Sequence, residues 1–192
     1  MLPLVLASSS PYRRELLARL RLPFSCSAPA IDESALPGES AETLVRRLSE
    51  EKARALSDSF SNHLIIGSDQ VAVLNGQIIG KPHNFERARE QLLKASGNSV
   101  TFLTGLCLLN SATGQLQTDC IPFTVHFREL SDAQISRYLH AEQPYDCAGS
   151  FKAEGLGVSL FRGTEGSDSN SLIGLPLIRL VDMLHASGID IP

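Results

Sequence analysis

Ser8, Ser9 and Ser10 precede Pro11, and Arg13 and Arg14 follow within the first turn of a helix that Ser10 would cap. Cations are disfavoured at that place, where backbone N–H groups and the positive end of the helix dipole already sit. Hydroxyls, guanidiniums and free N–H groups together make sense around an anion, so the segment reads as a phosphate cradle. The ordinary alternative is a pair of solvated arginines. Lys52 lies four residues from both Leu48 and Leu56, which puts it on the apolar face of its helix. There it either snorkels to water or meets an anion. Asp69 follows Leu64-Ile65-Ile66-Gly67-Ser68, at the carboxyl end of a short apolar strand. Open α/β sheets bind ligands at such ends, although turn-forming polar residues are also common there. Asn75-Gly76 predicts a hairpin pairing Leu74 with Gln77. Continuing that register pairs Gln70 with Lys81 and brings Lys81 close to Asp69. Asp32 and Glu33 are adjacent carboxylates of the kind that hold Mg²⁺ or Mn²⁺ against phosphate, and equally of the kind that decorate exposed loops.

The chain has 192 residues, 43% of them hydrophobic, with a net charge of −4. One domain spanning 1–192 suits that length. An acidic balance argues against a duplex nucleic-acid partner, while a local basic cluster can still take a small anion. No apolar stretch approaches the roughly 18 residues of a membrane span, and the N-terminal run lacks the cationic start of a signal peptide. Cys26, Cys107, Cys120 and Cys147 are scattered without a C-x-x-C pair, and the five histidines show no ligand spacing. Reduced thiols and a cytoplasmic location are expected.

The elements that must position these residues follow from pattern. Leu2 to Leu6 reads as a buried strand, Phe24 to Ala28 as another, and Ala41 to about Ser57 as a helix opened by Pro37, Gly38 and Ser40. Leu64 to Ile66 is a short strand, and Val71 to Leu74 with Gln77 to Ile79 form the hairpin. Asn84 caps a helix to about Ala95, and Val100 to Leu109 and Ile121 to Phe127 are strands. Ser131 and Gln134 form a capping box. Val158 to Phe161 reads as a strand, Gly163 to Ser171 as a polar loop, and a last helix runs from Pro176 to Gly188. Helices interleaved with strands imply an α/β layered fold with a mixed sheet.

The runs L-A-S-S-S-P-Y-R-R, I-D-E at Ile31 to Glu33, E-K-A at Glu51 to Ala53, G-S-D-Q at Gly67 to Gln70 and G-K-P at Gly80 to Pro82 resemble the Maf family. So do A-G-S-F-K-A-E-G at Ala148 to Gly155 and I-G-L-P at Ile173 to Pro176. The ordered set covers nearly the whole chain. The resemblance implies a house-cleaning nucleoside triphosphate pyrophosphatase that uses a divalent cation (Mg, Mn or Co). It also implies an ITPase-like α/β fold, a mixed β-sheet with flanking helices and two lobes around a nucleotide cleft, commonly dimeric. Carried over by motif, Asp69 is the general base and Glu33 and Asp69 hold the metal. Ser8, Ser10, Arg13, Lys52 and Lys81 then bind the triphosphate.

Three positions resemble the branch of the family that cleaves 7-methyl-GTP, namely Tyr12, Gln70 and Glu154. The dTTP- and UTP-cleaving branch tends to have Arg, Thr and Gln there. A 7-methylguanine is cationic, so the face of Tyr12 would gain roughly 0.5–2 kcal/mol. The Glu154 carboxylate could accept from the N1–H and 2-amino donors of guanine, where a pyrimidine presents acceptors; the ordinary alternative is a surface residue in a glycine-rich loop. Alternatives are a dTTP/UTP pyrophosphatase of the same fold, or a nucleotide-binding regulator of septum formation without turnover. An intact Asp69 speaks against the last.

Overall fold

The computed structural model describes residues 2–191. Strand β1 (Leu4–Ala7) is buried along its length and leads through the serine turn into α1 (Pro11–Ala18), whose N-cap Ser10 accepts from the Arg13 N–H. Then come β2 (Phe24–Ser27) and α2 (Ala41–Arg54), the latter capped by Ser40 and ending three residues before the expected Ser57. Strand β3 (Leu64–Leu74) turns at Asn75-Gly76 into β4 (Gln77–Ile79). Asn84 caps α3 (Phe85–Ala95), followed by the long strands β5 (Ser99–Asn110) and β6 (Leu116–Phe127). Helix α4 (Asp132–Glu142) opens on the expected capping box of Ser131 and Gln134. Strand β7 (Phe161–Glu165), a short α5 (Ser169–Ile173) and α6 (Leu177–Ala186) complete the chain.

All seven strands form one mixed sheet in the order β2-β1-β3-β5-β6-β7, with β4 paired to β3. Strand β1 runs parallel to β2 and β3, whereas β3–β4 and β6–β7 are antiparallel. This is the α/β architecture with flanking helices that the sequence pattern implies.

The chain divides into two compact units. The first comprises 1–69, 104–121 and 170–192, the second 70–103 and 122–169. In the first unit the period of two along each strand decides which helix covers which face. Leu4, Leu6, Leu64, Ile66, Leu106 and Leu108 pack with Leu16 and Leu17 of α1 and Leu180 and Leu184 of α6. Their neighbours Val5, Ala7, Ile65, Cys107 and Leu109 pack with Ala53 and Leu56 at the end of α2. The second unit is centred on edge-to-face aromatics: Phe151 stands 5.3 Å from Phe102, 5.5 Å from Phe127 and 4.9 Å from Phe161, centroid to centroid.

Three expectations need correction. Gly67, Ser68 and Asp69 do not end a strand; they lie inside the eleven-residue β3. Only the parallel pairing with β1 stops, at Leu6 opposite Ile66. The hairpin register holds for Leu74–Gln77, Val73–Ile78 and Ala72–Ile79, but the strand ends there and Gln70 and Lys81 are not paired. Residues Leu156–Leu160 form a 3₁₀ segment, and the strand is Phe161–Glu165, overlapping the expected one only at Phe161 and running on into the stretch read as a polar loop from Gly163. The apolar pattern misled because Leu156 and Val158 are exposed, 47% and 63%. Strand β7 owes its place to backbone pairing with β6, for which side-chain polarity matters little.

Candidate functional site

Helix α2 lies directly on the backbone of the sheet. A Cβ at Gly67 would fall 2.0 Å from the Ser49 carbonyl oxygen, and one at Gly105 would fall 2.1 Å from that of Val45. Only glycine permits this approach, and it brings the buried face of α2 down on the middle of β3. Lys52, buried as its spacing demands, meets Asp69 there: Nζ donates to Oδ1 at 2.6 Å. The same ammonium lies 2.9 Å from Oε1 of Glu33, whose side chain is 59% exposed. Lys52 therefore does not snorkel to water. It is the counter-ion on which two carboxylates converge.

Glu33 is delivered by a braced loop. Arg47 of α2 donates through Nε and Nη2 to the two oxygens of Glu39 at 2.7 and 2.8 Å, and through Nη2 to the Ser34 carbonyl at 3.0 Å. The guanidinium holds the Glu39 carboxyl down to about 2. Asp32 accepts from the Ser34 N–H at 2.9 Å, and its hydrogen bonds with Ser34 lower its own pKa. Of the adjacent carboxylates, Asp32 shapes the turn and Glu33 reaches the lysine.

The serine turn supplies a third charge. Arg13 donates from Nε to the Gly174 carbonyl at 2.8 Å, and Ser68, fully buried, donates from Oγ to that oxygen at 3.0 Å and to the Gly105 carbonyl at 2.8 Å. The Gly174 carbonyl thus ties α1 to β3 beside Asp69. Burial lowers the Arg13 pKa, opposed by attraction first to Asp69 and then to Glu33. Arg13, Glu33, Lys52 and Asp69 form one electrostatic cluster. Ser68 and Gly174 were visible only as members of motifs; nothing in their types announced a junction.

The cradle differs from the expected one in its donors. Ser10 Oγ accepts from the Arg13 N–H, the Arg14 N–H bonds to the Ser10 carbonyl, and Pro11 has no N–H to give. Ser8, buried, accepts from the Ser10 N–H at 3.1 Å. What the turn offers an anion therefore includes the hydroxyl hydrogens of Ser8 and Ser10 and the Arg13 charge, while the N–H groups of Ser10, Arg13 and Arg14 are already engaged. Arg14 is exposed. Tyr12 and Gln70 are half-buried, with Gln70 opening the second unit immediately after Asp69. Lys81 and Glu154, both in the second unit, are exposed, and neither has a hydrogen-bond or ion-pair partner among the described residues.

Among the described residues no cluster of three or more His, Cys, Asp or Glu side chains is arranged to hold a metal by itself. Glu33 Oε1 and Asp69 Oδ1 nevertheless both lie within 3 Å of a single point, the Lys52 nitrogen. Convergent carboxylate oxygens of this kind suit an ion that takes one or two protein ligands and completes its shell with phosphate oxygens and water.

Residues 3–187 match the family described as "Maf-like protein". The chain is similar over its full length to a 7-methyl-GTP pyrophosphatase of Pseudomonas fluorescens, 74% identical over 192 residues and covering 100% of both chains. It is also similar to proteins of the same name from Pseudomonas savastanoi pv. phaseolicola, 75% over 189 residues, and Pseudomonas aeruginosa, 69% over 189 residues, with 98% of each chain covered. The Ham1 protein of Staphylococcus aureus aligns over 68% of this chain and 72% of its own with a TM-score of 0.45 and 18% identity, a likeness too distant to bear on the site.

Proposed function

The chain belongs to the Maf family, and we propose that it hydrolyses 7-methyl-GTP to 7-methyl-GMP and diphosphate, removing a modified nucleotide from the pool. The observation that carries the hydrolytic part is the buried Lys52–Asp69 pair, with the exposed Glu33 on the same ammonium and Arg13 beside it. Phosphoryl transfer needs positioning and neutralisation of charge more than covalent help. Asp69 takes a proton from a water molecule as the water oxygen bonds to the α phosphorus. The bridging P–O bond breaks and diphosphate leaves. Arg13, Lys52 and Lys81 bind the charged triphosphate, and Ser8 and Ser10 donate hydroxyl hydrogens to it. Lys52 exchanges a carboxylate partner for phosphate when substrate arrives. A divalent cation held by Glu33 and Asp69 would neutralise phosphate charge and polarise the anhydride.

For the base, Tyr12, Gln70 and Glu154 are the specificity residues, supported by motif and by the unpartnered carboxylate of Glu154. Residues 1–192 are read as a single nucleotide pyrophosphatase domain. No helix among the described residues is long and apolar enough to cross a membrane. The cytoplasm, with its reduced thiols, is the compartment we assign, and a homodimer is the assembly to test by light scattering.

The experiment is diphosphate release from 7-methyl-GTP, GTP, dTTP and UTP with Mg²⁺, Mn²⁺ or Co²⁺ and with excess chelator. The expected outcome is the highest kcat/KM for 7-methyl-GTP and no turnover in chelator. Preference for dTTP or UTP would overturn the base assignment while leaving the pyrophosphatase standing. Full activity in chelator would remove the metal.

A further inference from the structure

The turn that carries Glu154 is fastened at both ends to one helix. At its start, the Lys152 N–H donates to the Tyr138 hydroxyl at 3.0 Å; at its end, the Leu156 N–H donates to Oε2 of Glu142 at 2.8 Å. Tyr138 and Glu142 are one helical turn apart on α4, so they present side by side. Between the two fastenings lies Gly155, where a Cβ would fall 2.8 Å from Oε2 of Glu142. The carboxylate lies close against the turn's backbone, so a side chain at Gly155 would have to push it aside. Lys152 strengthens the hold, with Nζ 3.8 Å from Oε1 of Glu142 and 3.5 Å from its carbonyl oxygen. The segment is also folded tightly on itself, since a Cβ at Gly157 would fall 2.2 Å from the Lys152 carbonyl oxygen.

Both holding groups are built in. Tyr138 is 3% exposed, and burial raises its pKa, so the hydroxyl stays neutral. The Glu142 side chain is 19% exposed. Glu154, in contrast, is exposed and makes no hydrogen bond or ion pair among the described residues. A free carboxylate on an otherwise immobilised turn is pre-organised to read a ligand, because its backbone entropy is already spent.

We propose that Tyr138 and Glu142 are positioning residues that set base specificity by fixing the turn of Glu154, with a purine carrying adjacent N–H donors as the group read. This rests on Glu154 being the base reader. Neither residue is among those assigned to the phosphates or the attacking water, so their effect is expected on selectivity and KM, with kcat near its parent value.

The test compares Tyr138→Phe, Glu142→Ala and Glu142→Gln, each alone and combined with Glu154→Ala, and Glu154→Ala by itself. Measured for each are kcat and KM with 7-methyl-GTP and UTP, and amide exchange at Lys152 and Leu156. Losing one fastening should cut the 7-methyl-GTP to UTP ratio of kcat/KM by about five-fold through KM, and speed exchange at the released amide. Gln keeps an acceptor for the Leu156 N–H, so Glu142→Gln should recover most of the selectivity. On a Glu154→Ala background, Tyr138→Phe should change the ratio no further. Parallel loss on both substrates, or a ratio unmoved while exchange accelerates, overturns the proposal even if Glu154→Ala alone lowers the ratio. A ratio unaffected by Glu154→Ala overturns the base-reading assignment and this proposal with it.

Discussion

Lys52 is held by two carboxylates in a largely buried setting, so its removal has two separable effects. Lys52→Met fills the apolar stripe but leaves Asp69, 11% exposed, without its counter-ion. A stability loss of about 1–3 kcal/mol is expected, together with a collapse in turnover. Adding Asp69→Asn should restore part of the melting temperature and none of the activity. A single Lys52→Met variant that melts and turns over like the parent would show the ion pair to be incidental. Asp69→Asn alone should lose about 10²–10⁴-fold in kcat while still binding nucleotide, measured by calorimetry and by diphosphate release. Parent-like release by that variant removes Asp69 as the base.

At the scale of elements, the contact of α2 with the sheet is the feature on which the cluster depends. Gly67→Ala would drive a methyl group into the Ser49 carbonyl, so helix or strand must shift. We expect a loss of about 1–3 kcal/mol in chemical denaturation and a fall in kcat, since Lys52 rides on the displaced helix. Unchanged stability would show that α2 and β3 admit a methyl group between them without cost. The same contact explains what was legible in the sequence. The spacing of Leu48, Lys52 and Leu56 placed the lysine on a buried face, and Ser10, Ser40, Asn84 and Ser131 marked their helix starts, because these signals are local. That Lys52 would meet Asp69 was not legible, since the pairing is made by a helix crossing a strand over Gly67. The polar run Ser68-Asp69-Gln70 likewise looked like a break. It continues as strand because its hydrogen bonds are made by backbone, whatever the side chains are.

Over the whole molecule, four free thiols report on burial. Burial pushes Cys107 up to about 12, Cys120 to about 11 and Cys147 to about 12. At pH 8 these three carry little thiolate, whereas Cys26 is exposed. Titration with Ellman's reagent should find one fast thiol in the native protein and four after denaturation. Rapid reaction of Cys107 in the native state would contradict the packing of β5 against α2.

Arg13, Glu33, Lys52 and Asp69 all belong to the first unit, whereas Glu154 and the helix that fastens its turn belong to the second. In the proposed roles the hydrolytic cluster and Glu154 are thus written in different stretches of the chain, although Tyr12 shares α1 with Arg13 and Lys81 shares the second unit with Glu154. A lineage can try new bases by altering residues 138–156 while the hydrolytic cluster is inherited untouched. A drifting reader then yields an enzyme with a different diet, not a dead one. An engineer has the same latitude: a library confined to the fastened turn and its helix samples substrate choice at little risk to the chemistry.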